Sequence, residues 1–61
     1  MATEIKTKNG KWYKIEKDGN KFKVKKYTGT SFFGGDNYET VGYTYTKEDA
    51  MTMAEADSRN R

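Results

Sequence analysis

The chain reads as an α+β domain: a three-stranded antiparallel sheet with one C-terminal helix packed on one face. Three observations predict it. Residues 11–27, KWYKIEKDGNKFKVKKY, alternate apolar and polar side chains on both sides of Asp18-Gly19-Asn20, a turn signal between two strands. Residues 38–46, YETVGYTYT, keep the same period of two. After Thr46 the period changes, and Ala50, Met53, Ala54 and Asp57 follow the i, i+3, i+4, i+7 spacing of a helix.

Residues 1–9, MATEIKTKN, alternate weakly about Ile5 and carry no turn chemistry before Asn9-Gly10. They are expected to form a flexible N-terminal arm or a short extra strand, ahead of a single domain over 10–58 and a C-terminal tail at 59–61. In the hairpin that follows, a turn at Asp18-Gly19 sets Ile15 opposite Phe22 and Tyr13 opposite Val24, whereas a turn at Gly19-Asn20 sets Ile15 opposite Val24. The two registers differ by two residues, so each side chain keeps its face. Tyr13, Ile15, Phe22 and Val24 are buried in both. Trp12, Lys14, Glu16, Lys21, Lys23, Lys25 and Tyr27 share the other face.

Residues 28–37, TGTSFFGGDN, are rich in Gly, Thr, Ser and Asp and read as a loop. At least one of the adjacent Phe32 and Phe33 is expected to fold back over the core, leaving the other exposed. In the third strand, Tyr38 to Thr46, Val41, Tyr43 and Tyr45 alternate on one side, with Thr40, Gly42 and Thr44 on the other. Gly42 in mid-strand marks a bulge or a close backbone approach. Thr46 is a good helix N-cap, and Asp49 three residues later resembles a shortened capping box. Glu48 and Asp49 in the first turn and Arg59 and Arg61 at the far end suit the helix dipole. Ala50, Met53 and Ala54 make a narrow face of small residues that allows close approach to the sheet, with Met51 on its flank. The expected core is Tyr13, Ile15, Phe22, Val24, Val41, Tyr43, Ala50, Met53 and Ala54, helped by Phe32 or Phe33. A sheet covered on one face leaves the other wet. That bare face carries Trp12, Lys14, Lys21, Lys23 and Lys25.

With 61 residues the chain is one small domain, of a size that buries only about 60% of its unfolded surface. It has no cysteine and no histidine, which excludes disulfides and the usual zinc sites. No acidic spacing matches a calcium loop, so neither metal nor cofactor is expected. No apolar run has the length of a signal peptide or a bilayer span, which makes a cytoplasmic protein without membrane contact the default expectation. The net charge of +3 is unevenly spread: nine lysines face three acids through Tyr27, while three basic residues face six acids from Thr28 onward. Such asymmetry suits an anionic partner. Lysine-rich strands also keep a sheet soluble and discourage edge pairing.

Catalysis is not expected. Without histidine or cysteine there is no ordinary Ser-His or Cys-His pair and no thiol nucleophile. So small a chain has little room for the desolvated pocket that tunes other acids and bases or holds a small-molecule substrate. Gly34-Gly35 lacks the spacing of a phosphate-binding loop and leads into a strand, so it is a flexible turn. Among the aromatics, most must supply a core that has only four Val and Ile residues to draw on. Trp12 lies on the face opposite Ile15, either as a binding hot spot or packed under the N-terminal arm.

A glycine before an aromatic strand (Gly10, Trp12, Tyr13) is followed by a polar hairpin, and Gly42, Tyr43, Thr44 or Thr46, and Ala50 lead from the third strand into the helix. In this pattern, GKWYxIxxDGNKFKV to VGYTYTKEDAMTMAEA, residues 10–57 resemble the N-terminal arm-type DNA-binding domain of tyrosine integrases. The resemblance implies a sheet that enters the DNA major groove, with Lys14, Lys21, Lys23 and Lys25 as phosphate or base contacts. The 28–37 loop is longer and more aromatic than the usual connection in that family.

Two functions fit. One is a small nucleic-acid-binding module, for DNA rather than RNA, using the open lysine face, with Trp12, Lys14, Lys21, Lys23, Lys25, Tyr27 and Phe33 as contacts. The other is a small phage or mobile-element protein that docks on an acidic surface of a larger host protein and inhibits or redirects it, anchored by Trp12 with Phe32 or Phe33.

Overall fold

In a computed structural model describing residues 2–59, the chain runs β1 (Ala2–Lys6), β2 (Trp12–Asp18), β3 (Lys21–Thr30), β4 (Asp36–Thr44) and α1 (Lys47–Arg59). The strands form one antiparallel sheet in the order β1-β2-β3-β4, and α1 packs on one face over β2, β3 and β4. The fold is α+β with a C-terminal helix, as expected, but the sheet has four strands in place of three. The added strand is β1, where Ile5 pairs with Tyr13 and packs against the edge of the core. Its alternation is faint in the sequence because Ile5 is the one large apolar residue it contributes. Met1 of the expected arm, and Asn60 and Arg61 of the expected tail and helix end, lie outside the described residues.

The first hairpin closes at Gly19-Asn20: Asp18 pairs with Lys21, and Ile15 faces Val24. Gly19 has φ +65°, while among the described residues no non-glycine has a positive φ. A glycine with positive φ at the first turn position is what a type II′ turn requires. Tyr13, Ile15, Val24, Ala50 and Ala54 form the buried core, with Ile5, Phe22, Val41 and Met53 partly buried against it. The helix begins as expected, with the Asp49 amide donating to Thr46 Oγ1 at 3.0 Å and the Ala50 amide to the Thr46 carbonyl at 3.1 Å. Ala50, Ala54 and Ser58, four residues apart, make the stripe pressed on the sheet.

Gly42 combines both roles its position suggested. Val24 pairs with Gly42 but Lys25 pairs with Thr40, so Val41 is an extra residue in a β-bulge. Val41 packs against the core, and a Cβ on Gly42 would meet Met53 Sδ at 3.1 Å, so two successive residues face the helix. This reverses the alternation beyond the bulge. Tyr43, expected in the core beside Val41, is instead on the open face opposite Lys23 and 46% exposed. Tyr45 is exposed just past the end of β4.

The expected 28–37 loop is also corrected. Half of it is strand: β3 runs to Thr30 and β4 begins at Asp36, leaving a connection over 31–35. Ser31 staples this tip, its amide donating to the Gly35 carbonyl at 2.6 Å, its carbonyl accepting from the Gly34 amide at 3.0 Å and its Oγ accepting from the Gly35 amide at 3.1 Å. The paired strands carry the tip past the helix-covered core, so neither phenylalanine caps it. Phe32 and Phe33 are 96% and 94% exposed and stack edge to face on each other, with ring centres 5.4 Å apart.

At the other end, the β1–β2 turn latches the helix C-terminus. The Lys8 amide donates to the Glu55 carboxylate at 3.2 Å, Asn9 Nδ2 to the Ser58 carbonyl at 2.8 Å, and the buried Tyr13 hydroxyl to Asp57 Oδ2 at 2.6 Å. Asn9 thereby satisfies a carbonyl that the last helical turn leaves open.

Candidate nucleic-acid interface

Directly paired residues share a face, so strand register lays out the open side of the sheet in rows. Lys6 pairs with Trp12 and Tyr27 with Tyr38, and the neighbouring Tyr13–Lys26 pair brings Trp12 beside Tyr27. The result is a row of Lys6, Trp12, Tyr27 and Tyr38 across all four strands. The next row is Glu4, Lys14, Lys25 and Thr40, and the one after it Ala2, Glu16, Lys23 and Tyr43. Lys21 follows on β3, two residues before Lys23. Six of the expected contact residues, Trp12, Lys14, Lys21, Lys23, Lys25 and Tyr27, thus share one surface. Phe33 stands apart on the hairpin tip.

The lysines rest on rings. Lys14 Nζ lies 4.6 Å from the Tyr38 ring centre, and Lys21 and Lys23 lie 5.1 and 5.8 Å from that of Tyr43. Lys6 is 5.9 Å from the Trp12 ring. Cation–π contacts at exposed sites are worth about 0.5–1 kcal/mol each, weak enough for an ammonium to exchange the ring for another partner. Lys25 is the exception, bound to Glu16 Oε1 at 2.9 Å. That hydrogen bond, with Lys14 and Lys23 nearby, holds the Glu16 carboxyl below its ordinary range despite partial desolvation.

At the aromatic row the surface dips into an open cavity of about 280 Å³ lined by Glu4, Trp12, Tyr13, Tyr27, Asp36 and Tyr38. Tyr27 and Tyr38 meet at 65° with centres 5.7 Å apart, and the Tyr27 hydroxyl lies 2.8 Å from Thr30 Oγ1. Desolvation, followed by the Glu4 and Asp36 carboxylates, pushes the Tyr38 phenol up from its ordinary value. Trp12, 47% exposed, forms the opposite wall and is not covered by β1.

Sequence reasoning missed Tyr38, Tyr43, Glu4 and Lys6 as members of this face. The Thr-Gly-Thr after Tyr27 hid the continuation of the strand that pairs Tyr27 with Tyr38. For Tyr43 a signal did exist, because a bulge at Gly42 changes the face of every later residue. Among the described residues no group of three or more His, Cys, Asp or Glu side chains is placed to hold a metal ion, and no helix is long and apolar enough to cross a membrane. Comparison of the chain with protein-family models, with curated proteins and with solved structures finds no match.

Proposed function

We propose that the protein is a non-catalytic nucleic-acid-binding module that uses the open face of its sheet, with DNA as the first partner to test. One observation carries this reading. Lys6, Lys14, Lys21, Lys23 and Lys25 gather on the face the helix leaves bare, among Glu4, Glu16, Asp18 and Asp36, and Glu16 is already engaged by Lys25. Four of those lysines rest on aromatic rings, contacts weak enough to yield to phosphates. The resemblance of residues 10–57 to integrase arm-type domains supports the choice of DNA.

The test is salt-dependent binding. Wild-type affinity should fall along a straight log–log salt plot whose slope is about 0.9 per duplex phosphate contacted. Lys21→Glu with Lys23→Glu should abolish binding and leave the circular dichroism spectrum unchanged, since neither ammonium holds the core. Absence of binding to DNA or RNA at low salt would sink the proposal.

A second reading has its own observation. Two fully presented phenylalanines on a stapled tip suit the pocket of a larger protein, and the lysine face would then meet that partner's acidic surface. In that case Phe32→Ser with Phe33→Ser should cancel binding to the partner, and nucleic-acid affinity should be undetectable throughout.

A further inference from the structure

Resting on the nucleic-acid reading, we infer that the cavity walled by Trp12, Tyr27 and Tyr38 is a subsite for one unpaired base of a single strand, and that Glu4 and Asp36 at its edge favour a base bearing an exocyclic amino group. A duplex hides the faces of its bases and offers phosphates and base edges, whereas a single strand offers faces for stacking on aromatic side chains. The open side of this sheet presents three rings in one row, and they enclose a hollow of about 280 Å³. Small-molecule pockets start at about 300 Å³, so the hollow suits one planar group and no more.

Charge decides the orientation of the strand. The cavity contributes two carboxylates and no ammonium among its lining residues, so a phosphate is repelled from it. Lys14 and Lys25 lie in the adjoining row and Lys6 at the end of the aromatic row. The backbone therefore tracks the lysines while a base turns into the hollow. Lys14, 4.6 Å above the Tyr38 ring in the free protein, exchanges that ring for a phosphate as the base arrives. Carboxylates accept hydrogen bonds and donate none, so they pair with the amino group of cytosine, adenine or guanine. Thymine, whose one ring N–H is flanked by two carbonyl oxygens, is disfavoured. Rings and carboxylates together also suit an organic cation. Here, however, Lys6 and Lys14 already stand on Trp12 and Tyr38, so a second cation enters against their charge.

Trp12 is the only tryptophan of the chain, so its emission reports directly on this cavity. Labelled oligo(dC), oligo(dT) and a duplex of the same length should be titrated into the intact protein, following anisotropy and Trp12 emission together. The expected order is oligo(dC), then oligo(dT), then duplex, with Trp12 quenched by the strands. Trp12→Ala should weaken strand binding roughly tenfold or more, weaken duplex binding much less, and leave thermal stability nearly unchanged, because Trp12 lies outside the core. Glu4→Gln should erase the preference for oligo(dC) over oligo(dT). Equal or tighter binding of duplex with Trp12 emission unmoved would overturn the inference while leaving the nucleic-acid reading in place. Strand binding without a cytosine preference overturns the role given to the carboxylates. Quenching by tetramethylammonium but not by oligonucleotide assigns the cavity to a cation instead, and failure of all three nucleic acids to bind overturns the parent reading itself.

Discussion

Sheet and helix are held at their distance by a few atoms around Gly42 and Tyr13. A Cβ at position 42 would stand 3.1 Å from Met53 Sδ and 3.2 Å from its Cε. A thioether tip can swing aside, so Gly42→Ala should cost about 1 kcal/mol, the low end of overpacking penalties. The cost should shrink in a Met53→Ala background, and a urea-denaturation double-mutant cycle showing no coupling would mean the helix is not seated on Gly42. Tyr13 is buried and its hydroxyl donates to Asp57 at 2.6 Å, so Tyr13→Phe should lose about 1.5–3 kcal/mol, as for a hydrogen bond to a charged group. On the open face, Glu16 has its carboxyl pKa depressed by Lys25. A depressed folded-state value stabilises above the unfolded carboxylate range and is lost as pH falls through the lower, folded value. The contribution is small because the pair is well solvated. Lys25→Ala should move the Glu16 titration, followed by NMR, back up toward an ordinary carboxylate.

Single elements explain how far the sequence could be read. Trp12–Asp18, Lys21–Val24 and the helix from Lys47 declare themselves because period, turn and cap agree locally. The Gly19 turn and the Thr46 cap each need only a few neighbours to be recognised. Thr46→Ala should therefore destabilise by about 0.5–2 kcal/mol, measurable as a lower denaturation midpoint. The open face of the first hairpin was equally legible, since a two-residue shift in register leaves its lysines in place. Less local features were not. Strand β1, left open in the sequence as an arm or a short extra strand, forms because Ile5 meets Tyr13 across the sheet, a partner in the next strand that no pattern within residues 1–9 contains. The Tyr27–Tyr38 pair required Thr28, Gly29 and Thr30 to stay in a strand past an irregularity, against their turn-like composition. Tyr43 changed face because a bulge one residue earlier broke the period of two. The aromatic cavity is built from the first two of these features together with Trp12, which is why a lysine surface was visible in the sequence and its concave part was not.

At the scale of the molecule, neither layer buries anything without the other. Tyr13, Ile15 and Val24 are almost fully hidden, and α1 supplies the buried Ala50 and Ala54 that close over them. Every strand pairs with its sequence neighbour, which makes the sheet quick to assemble, and with no proline or cysteine in the chain there is no isomerisation or disulfide step to slow it. Speed of pairing is distinct from stability. At roughly 0.05–0.15 kcal/mol per residue, a domain of this size holds only about 3–9 kcal/mol against unfolding. Exposing one large apolar side chain forfeits about 1.5–3 kcal/mol, and removing α1 would expose Tyr13, Ile15 and Val24 together. It would also strip the partners of Lys8, Asn9 and Tyr13 that latch the first turn. A fragment ending at Thr46 should therefore be unfolded, with a collapsed amide dispersion in its NMR spectrum, even though every residue of the sheet is present. In the full chain, the helix signal at 222 nm and the near-ultraviolet tyrosine signal should disappear at the same urea concentration. Refolding should be single-exponential with no phase of tens of seconds. A folded 1–46 fragment, or a helix that melts ahead of the sheet, would show that the meander carries its own core and that the contacts of Ala50, Met53 and Ala54 are not what hold the lysine face in shape.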